Sequence, residues 1–333
     1  IETRGPTDPI WRAEAQFVRN FLLPLMCAKH FGIPAHSLLL RGPDTVTPEA
    51  VYKIAGSLRR LFPPFLWWVT LPAWLGAKGN EPRSIYKPPD KSRDMARFIL
   101  QRTFKRLRRA MNKAAPKTAQ PSTWQSYEDT RLYTSEQTEA KHAIIVKALN
   151  SKTQGTVLDL GCNAGEYSEL AANLGHRVIA LDSDPLVADT AWRRAHSFGR
   201  DVHVITADLA QPTPPLGWDN AEWPALLSRT MDAFDIVLAL GILHHLVVTA
   251  GIPLHRVLAT LAQQTRDILV IELIAPDDPN FRLIARGRDA LYAGLNESTF
   301  EAALGSFFDV VEKRNIVPDM RSVYVLKKKV GDS

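Results

Sequence analysis

The run Thr-Val-Leu-Asp-Leu-Gly-Cys-Asn-Ala-Gly-Glu-Tyr-Ser, residues 156–168, constrains the fold more than any other stretch of this sequence. An apolar segment of strand length leads into a turn with glycines at 161 and 165, and then into a helix-forming stretch. Glycines in such a turn let the backbone approach a ligand, and the carboxyl end of a strand is where open α/β sheets place their sites. A strand this apolar needs neighbours, because burial on both faces requires a sheet with helices on each side.

Those neighbours follow downstream. Strands are expected at 156–160, 177–181, 202–206, 234–240, 267–272, 308–314 and 322–328, with helical stretches between the first five. Only residues 315–321 separate the last two, which suits an antiparallel hairpin at the edge of an otherwise parallel sheet. The expectation for residues 121–333 is an α/β domain with a Rossmann-like sheet of seven strands, the last antiparallel. Residues 1–120 read differently. From Trp11 to about Leu75 the apolar residues cluster at helical spacing, broken by Gly32-Ile-Pro34, Gly42-Pro43 and the prolines near 63, so a mainly helical N-terminal domain is expected. Thr47-Pro-Glu opens one of its helices, with Thr47 as cap. Residues 78–91 read as a loop, a basic helix is expected over 91–117, and Ala114–Ser122 reads as the boundary linker.

A dinucleotide fold would use the same glycine loop, but the carboxylate of Asp159 would repel a pyrophosphate there, and the spacing fails G-x-G-x-x-G. The loop Asp159-Leu-Gly-Cys-Asn-Ala-Gly165 resembles the D-x-G-x-G-x-G signature of class I methyltransferases, with Asn163 where the middle glycine usually stands. Asn tolerates positive φ better than most residues, so the departure is a mild one. The strand layout resembles that family too. The resemblance implies S-adenosylmethionine as cofactor, whose sulfonium and ammonium suit an acidic loop.

Asp182 lies about 20 residues past the first glycine, where an acid can accept both ribose hydroxyls. Asp184 beside it is expected to be solvated. The resemblance puts Asp208 and Leu209 at the adenine, and Cys162, Ser183, Leu240 and Gly241 among the remaining cofactor-binding positions. Ahead of the first strand, Tyr127, Tyr133 and Lys141 fall in a segment that covers the cofactor in similar enzymes; core packing is the competing reading for the aromatics. At finer grain, residues 217–224, the His244–Leu254 region and Ile-Glu-Leu-Ile-Ala-Pro-Asp-Asp-Pro (271–279) resemble a bacterial group related to NoeA methyltransferases. That likeness suggests a saccharide or other small acceptor.

Residues 234–246 read as a fourth buried strand entering a turn at Gly241, beside the expected sulfonium. Methyl transfer is an in-line displacement, so positioning supplies most of the catalysis. A hydroxyl acceptor must also lose its proton, and His244 and His245 are the candidate bases. Neighbouring residues diverge in direction, so at most one of them is expected at the reaction centre and no metal site is expected. Glu272, near the end of the fifth strand, is expected to orient that histidine or bind substrate. Packing roles compete with each of these.

The chain carries 41 Lys and Arg against 35 Asp and Glu, a formal charge of +6 that permits an anionic partner without requiring one. Ten basic residues fall in the 91–117 helix, so RNA, lipid headgroups or an acidic partner could dock there; a solvated helix face is the competing reading. An RNA or protein methyltransferase docking its substrate through that helix is the alternative to a small-molecule or glycan enzyme. Two cysteines far apart in sequence argue against a disulfide framework, and no apolar run reaches the length of a transmembrane helix. The first residue is Ile1 rather than Met, which leaves room for a leader upstream; cytoplasmic residence is the default expectation.

Overall fold

The computed structural model describes residues 7–39, 46–77, 92–115 and 133–329, and divides the chain into two compact units, Ile1–Ala119 and Gln120–Ser333. The first unit is helical. Its labelled helices are α1 (Leu23–Phe31), α2 (Pro48–Ile54), α3 (Leu71–Ala77) and α4 (Arg93–Ala114). Thr47 caps α2 by accepting from the Ala50 amide, and Ser92 caps α4 by accepting from that of Met95. Leu22, Leu23 and Met26 meet Val51, Phe65, Val69 and Leu107 in one apolar core. Along α4 the buried residues Ala96, Leu100, Leu107 and Ala114 recur at helical spacing, with Leu107 and Ala114 in that core, while most of the charged residues are exposed.

The second unit carries β1 (Thr156–Leu160), β2 (Arg177–Asp182), β3 (Val202–Thr206), β4 (Phe234–Ala239), β5 (Thr265–Ile274), β6 (Phe308–Val317) and β7 (Arg321–Lys328). They form one sheet in the order β3-β2-β1-β4-β5-β7-β6. The first five run parallel, while β7 pairs antiparallel with both β5 and β6. This is the Rossmann-like arrangement of class I methyltransferases. Leu158, Val237, Leu269 and Ile271 point into one core, and Val157, Ile236, Leu238 and Val270 into the other. That alternation is the two-residue period of strands covered on both faces.

Helices α5 (Ser135–Leu149), α6 (Glu166–Asn173), α7 (Pro185–Phe198), α8 (Leu254–Gln264), α9 (Pro279–Ala285) and α10 (Glu297–Leu304) are the main helices of this unit. A capping box opens α5, with Thr134 accepting from the Gln137 amide and the Gln137 side chain accepting from that of Thr134.

Two strands are longer than their sequence signal. β5 spans ten residues because β7 pairs with it from Ile268↔Lys327 to Ile274↔Arg321. β6 also spans ten, since only three residues separate Val317 from Arg321 and Asp319 takes a positive φ of 57° to close the turn. Both cysteines are buried and free. Among the described residues no helix is long and apolar enough to cross a membrane.

Candidate active site

A cavity of about 460 Å³ opens at the carboxyl ends of β1 to β5, within the roughly 300–1,000 Å³ typical of small-molecule sites. The chain crosses there from β1 outward to β2 and β3 on one side and to β4 and β5 on the other, the switch point where open α/β sheets hold ligands.

On the β2 and β3 flank the wall is built from backbone. Gly161 takes φ +69°, and a Cβ there would lie 3.3 Å from Ile242 Cδ1. Gly165 takes φ +81°, and its Cβ would lie 3.1 Å from Ala191 Cβ, so a side chain would push α6 from α7. Asn163 adopts φ 49°, the left-handed conformation expected of a residue standing in for glycine, and its Oδ1 accepts from the Ala164 amide at 2.6 Å.

The same loop grips Asp182. The Asn163 amide donates to Asp182 Oδ2 at 3.0 Å, and the Asp184 amide donates to Oδ1 at 2.9 Å. Each carboxylate oxygen therefore keeps acceptor capacity on a group that lines the cavity. Burial raises the Asp182 pKa, against the lowering effect of those two amides. Asp184 is not simply solvated: it caps α7 by accepting from the Leu186 amide. Asp159 is buried and accepts from Ser168 Oγ at 2.5 Å; burial pushes its pKa up to about 6, with Ser168 opposing and nearby Asp182 adding to the rise. Asp208 lies exposed at the rim, its Oδ1 holding the Ala210 amide at 2.8 Å, with Leu209 partly buried beside it.

On the β5 and β7 flank the wall is built from side chains of distant segments. Glu272 is 1% exposed, and accepts from the Tyr133 hydroxyl on Oε1 and from Lys141 Nζ at 2.8 Å on Oε2. Gly241 leaves that carboxylate room: a Cβ there would lie 3.7 Å from Glu272 Oε2. Burial alone would raise the Glu272 pKa, but Lys141, the Tyr133 hydroxyl and Arg321 outweigh it and hold the carboxyl ionised below its ordinary range. Burial first, and then the negative Glu272, push the Tyr133 phenol far up, so it stays a donor.

Arg321 was not foreseen. It is buried, grips Asp278 with Nε at 2.6 Å and Nη2 at 3.1 Å, and lies 4.8 Å from the Tyr133 ring centre. The available signal was the antiparallel pairing of β7 with β5, whose register sets Arg321 opposite Ile274, two residues beyond Glu272.

The histidines divide sharply. His245 lines the cavity, whereas His244 is buried behind it with 1% exposure and an unpartnered Nδ1. The candidacy of His244 as base is therefore withdrawn: its ring lies in the core, 4.0 Å between centroids from that of His245, and reaches no cavity surface. Burial, then His245 and Arg321, drive the His244 pKa far down, while burial lowers that of His245 to about 4. Of the two roles expected for Glu272, orienting a histidine is set aside, because its hydrogen bonds go to Tyr133 and Lys141; its place in the cavity lining leaves substrate binding open to it. Those two residues in turn are engaged with Glu272. Tyr127 lies outside the described residues. Cys162, Ser183 and Leu240 line the cavity, and Gly165 lies just behind it. Among the described residues no group of three His, Cys, Asp or Glu side chains converges to hold a metal ion.

No family model matches the chain. The nodulation protein NoeA of Rhizobium meliloti (strain 1021) is 27% identical over 321 residues, which cover 96% of this chain and 67% of that protein. A ribosomal protein L11 methyltransferase of Herpetosiphon aurantiacus is 36% identical over 90 residues, 25% of this chain and 28% of its own length. With the sheet order and the glycine loop, these likenesses support a class I methyltransferase resembling NoeA. A ubiquinone biosynthesis O-methyltransferase of Methylocella silvestris is 32% identical over 95 residues, 28% of this chain and 31% of its own length. The two named methyltransferases carry different acceptors in their names, so the likeness does not fix an acceptor for this chain.

Proposed function

We propose that the chain methylates a hydroxyl of a saccharide or small hydroxylated metabolite, using S-adenosylmethionine bound in the cavity of the second unit. The observation that carries this reading is the grip on Asp182, each of whose oxygens takes one backbone amide and keeps acceptor capacity for a ribose diol. Asp159 supplies a buried carboxylate suited to a cationic ligand, and Asp208 with Leu209 forms the rim where an adenine would lie. The cofactor, when bound, supplies an electrophilic methyl on a sulfonium.

The chain's own residues do the rest. Gly241 lets an acceptor come close to the end of β4, and the ionised Glu272 offers an anchored acceptor for its hydroxyl. His245, with its pKa lowered to about 4, is neutral at pH 7 and able to take the hydroxyl proton. That low value makes it a weak base, so its share is set at the lower end of general-base catalysis, about 100-fold, with positioning supplying more.

Calorimetry with S-adenosylmethionine and its demethylated product tests the cofactor. Incubation with methyl-labelled cofactor and fractionated host extract, followed by mass identification of the labelled product, tests the acceptor. Label on a base or amide nitrogen would overturn the hydroxyl assignment.

A further inference from the structure

The two units carry opposite charge. Residues 1–119 hold 21 Lys and Arg against 8 Asp and Glu, net +13, while residues 120–333 hold 20 against 27, net −7. The basic excess has an ordered display: Arg97, Arg102, Lys105, Arg108 and Arg109 are all exposed on α4, whose only acid is Asp94. Phe98 is exposed on the same helix with Arg102 stacked at 5.0 Å from its ring centre.

The same unit exposes large apolar side chains. Leu58, Phe62, Trp67 and Leu75, all within residues 58–75, are 74%, 63%, 61% and 69% exposed, so each offers open apolar surface to a partner. The helix touches aromatic side chains of two other segments of the unit. Arg106 lies 5.3 Å from the ring of Trp68, the neighbour of Trp67. A ladder of rings runs from exposed Phe21 to Phe17 (5.2 Å), Trp11 (5.5 Å) and Phe104 of α4 (5.1 Å).

We infer that the N-terminal unit docks on an anionic phospholipid surface, with the α4 cations at the headgroup phosphates and the exposed Trp, Phe and Leu side chains in the interface. Interleaved cations and large apolar residues on a helical surface are the composition of interfacial membrane binding. Charge alone would serve RNA equally, but exposed Leu58, Leu61 and Leu75 offer nothing to a base, whereas an acyl boundary rewards them. The inference stands apart from the choice of acceptor, since every residue it uses lies before residue 120.

The test is flotation of the full chain with phosphatidylcholine vesicles, with and without about a quarter phosphatidylglycerol. The chain is expected to float with the anionic vesicles at moderate salt, to release as salt rises, and to show a blue shift of tryptophan emission on binding. The variant R102Q/K105Q/R108Q/R109Q should lose roughly 100-fold or more in partitioning. The variant F62S/W67S should lose on the order of tenfold while keeping its salt dependence. Both should keep the parent's helical circular-dichroism signal and its melting transitions, which shows that the N-terminal unit still folds, and should bind cofactor like the parent, which shows that the second unit does. Absence of flotation with anionic vesicles at low salt overturns the inference, as does unchanged flotation of the fourfold variant. Preference for single-stranded RNA over vesicles at equal salt, or a stable oligomer that ignores vesicles, also overturns it.

Discussion

The two flanks of the cavity are made in different ways. Toward β2 and β3, one contiguous loop uses its own amides to hold Asp182, with glycine and Asn163 supplying the left-handed turns. Toward β5 and β7, Tyr133, Lys141, Glu272, Asp278 and Arg321 come from five places in the chain and hold one another through charge. Backbone amides have a fixed geometry once the turn forms. A buried charged network depends on every member, because losing one leaves its partner uncompensated. Substitutions on the first flank should therefore affect ligand binding, and those on the second should affect folding as well.

The largest effect is expected from Asp182→Ala, which removes a charged acceptor at the ribose position; calorimetry should show cofactor affinity falling by roughly 100-fold or more with little change in melting temperature. Arg321→Met strands the buried Asp278 carboxylate and should cost about 3–5 kcal/mol, seen as a melting temperature lower by roughly 10 °C. Adding Asp278→Leu should restore most of that loss; if it does not, the flank is not the coupled charge network described. His245→Ala should leave cofactor affinity intact and lower turnover about 100-fold. With His245 at about 4, the acid limb of the parent's rate profile should fall near pH 4 rather than near the ordinary imidazole value.

Asp159 gives a smaller, pH-dependent signal. Its folded-state pKa of about 6 lies above the ordinary 3.8, so its carboxyl favours the folded state below about pH 4, and that advantage is lost as pH rises through 6. At pH 7 the buried anion costs roughly 3 kcal/mol, and a cationic ligand beside it would recover part of this. Cofactor binding near pH 6 should thus release a proton, detectable by calorimetry in buffers of different ionisation enthalpy, and affinity should rise up to about tenfold between pH 5 and pH 7. Asp159→Asn should abolish the release. The smallest effect belongs to Asn163→Gly, where relief of a positive φ is offset by loss of the Ala164 hydrogen bond; the net change should stay within about 0.5 kcal/mol in thermal unfolding.

The same difference governs what could be read in advance. The glycine loop, Asp182 and Asp208 follow their strands at short fixed distances, so local pattern finds them. Glu272 and the histidines could be named but not assigned, since spacing does not say that His244 turns into the core and His245 into the cavity. Arg321 depends on the pairing register between β5 and β7, a long-range contact with no local signature. The extra length of β5 escaped for the same reason: Ile274 reads as the start of a loop until Arg321 is set opposite it.

Arg321 is also the last wall residue in chain order, and it belongs to the strand that closes one side of β5. A nascent chain that has emerged only through β5 already carries the glycine loop, both histidines and Glu272, but its β5 edge is bare and it still lacks Arg321. At about 5–20 residues per second, the ribosome takes several seconds to travel from Ile274 to Arg321. During translation, that is the interval in which a stray strand could pair with β5 and a chaperone would be most useful.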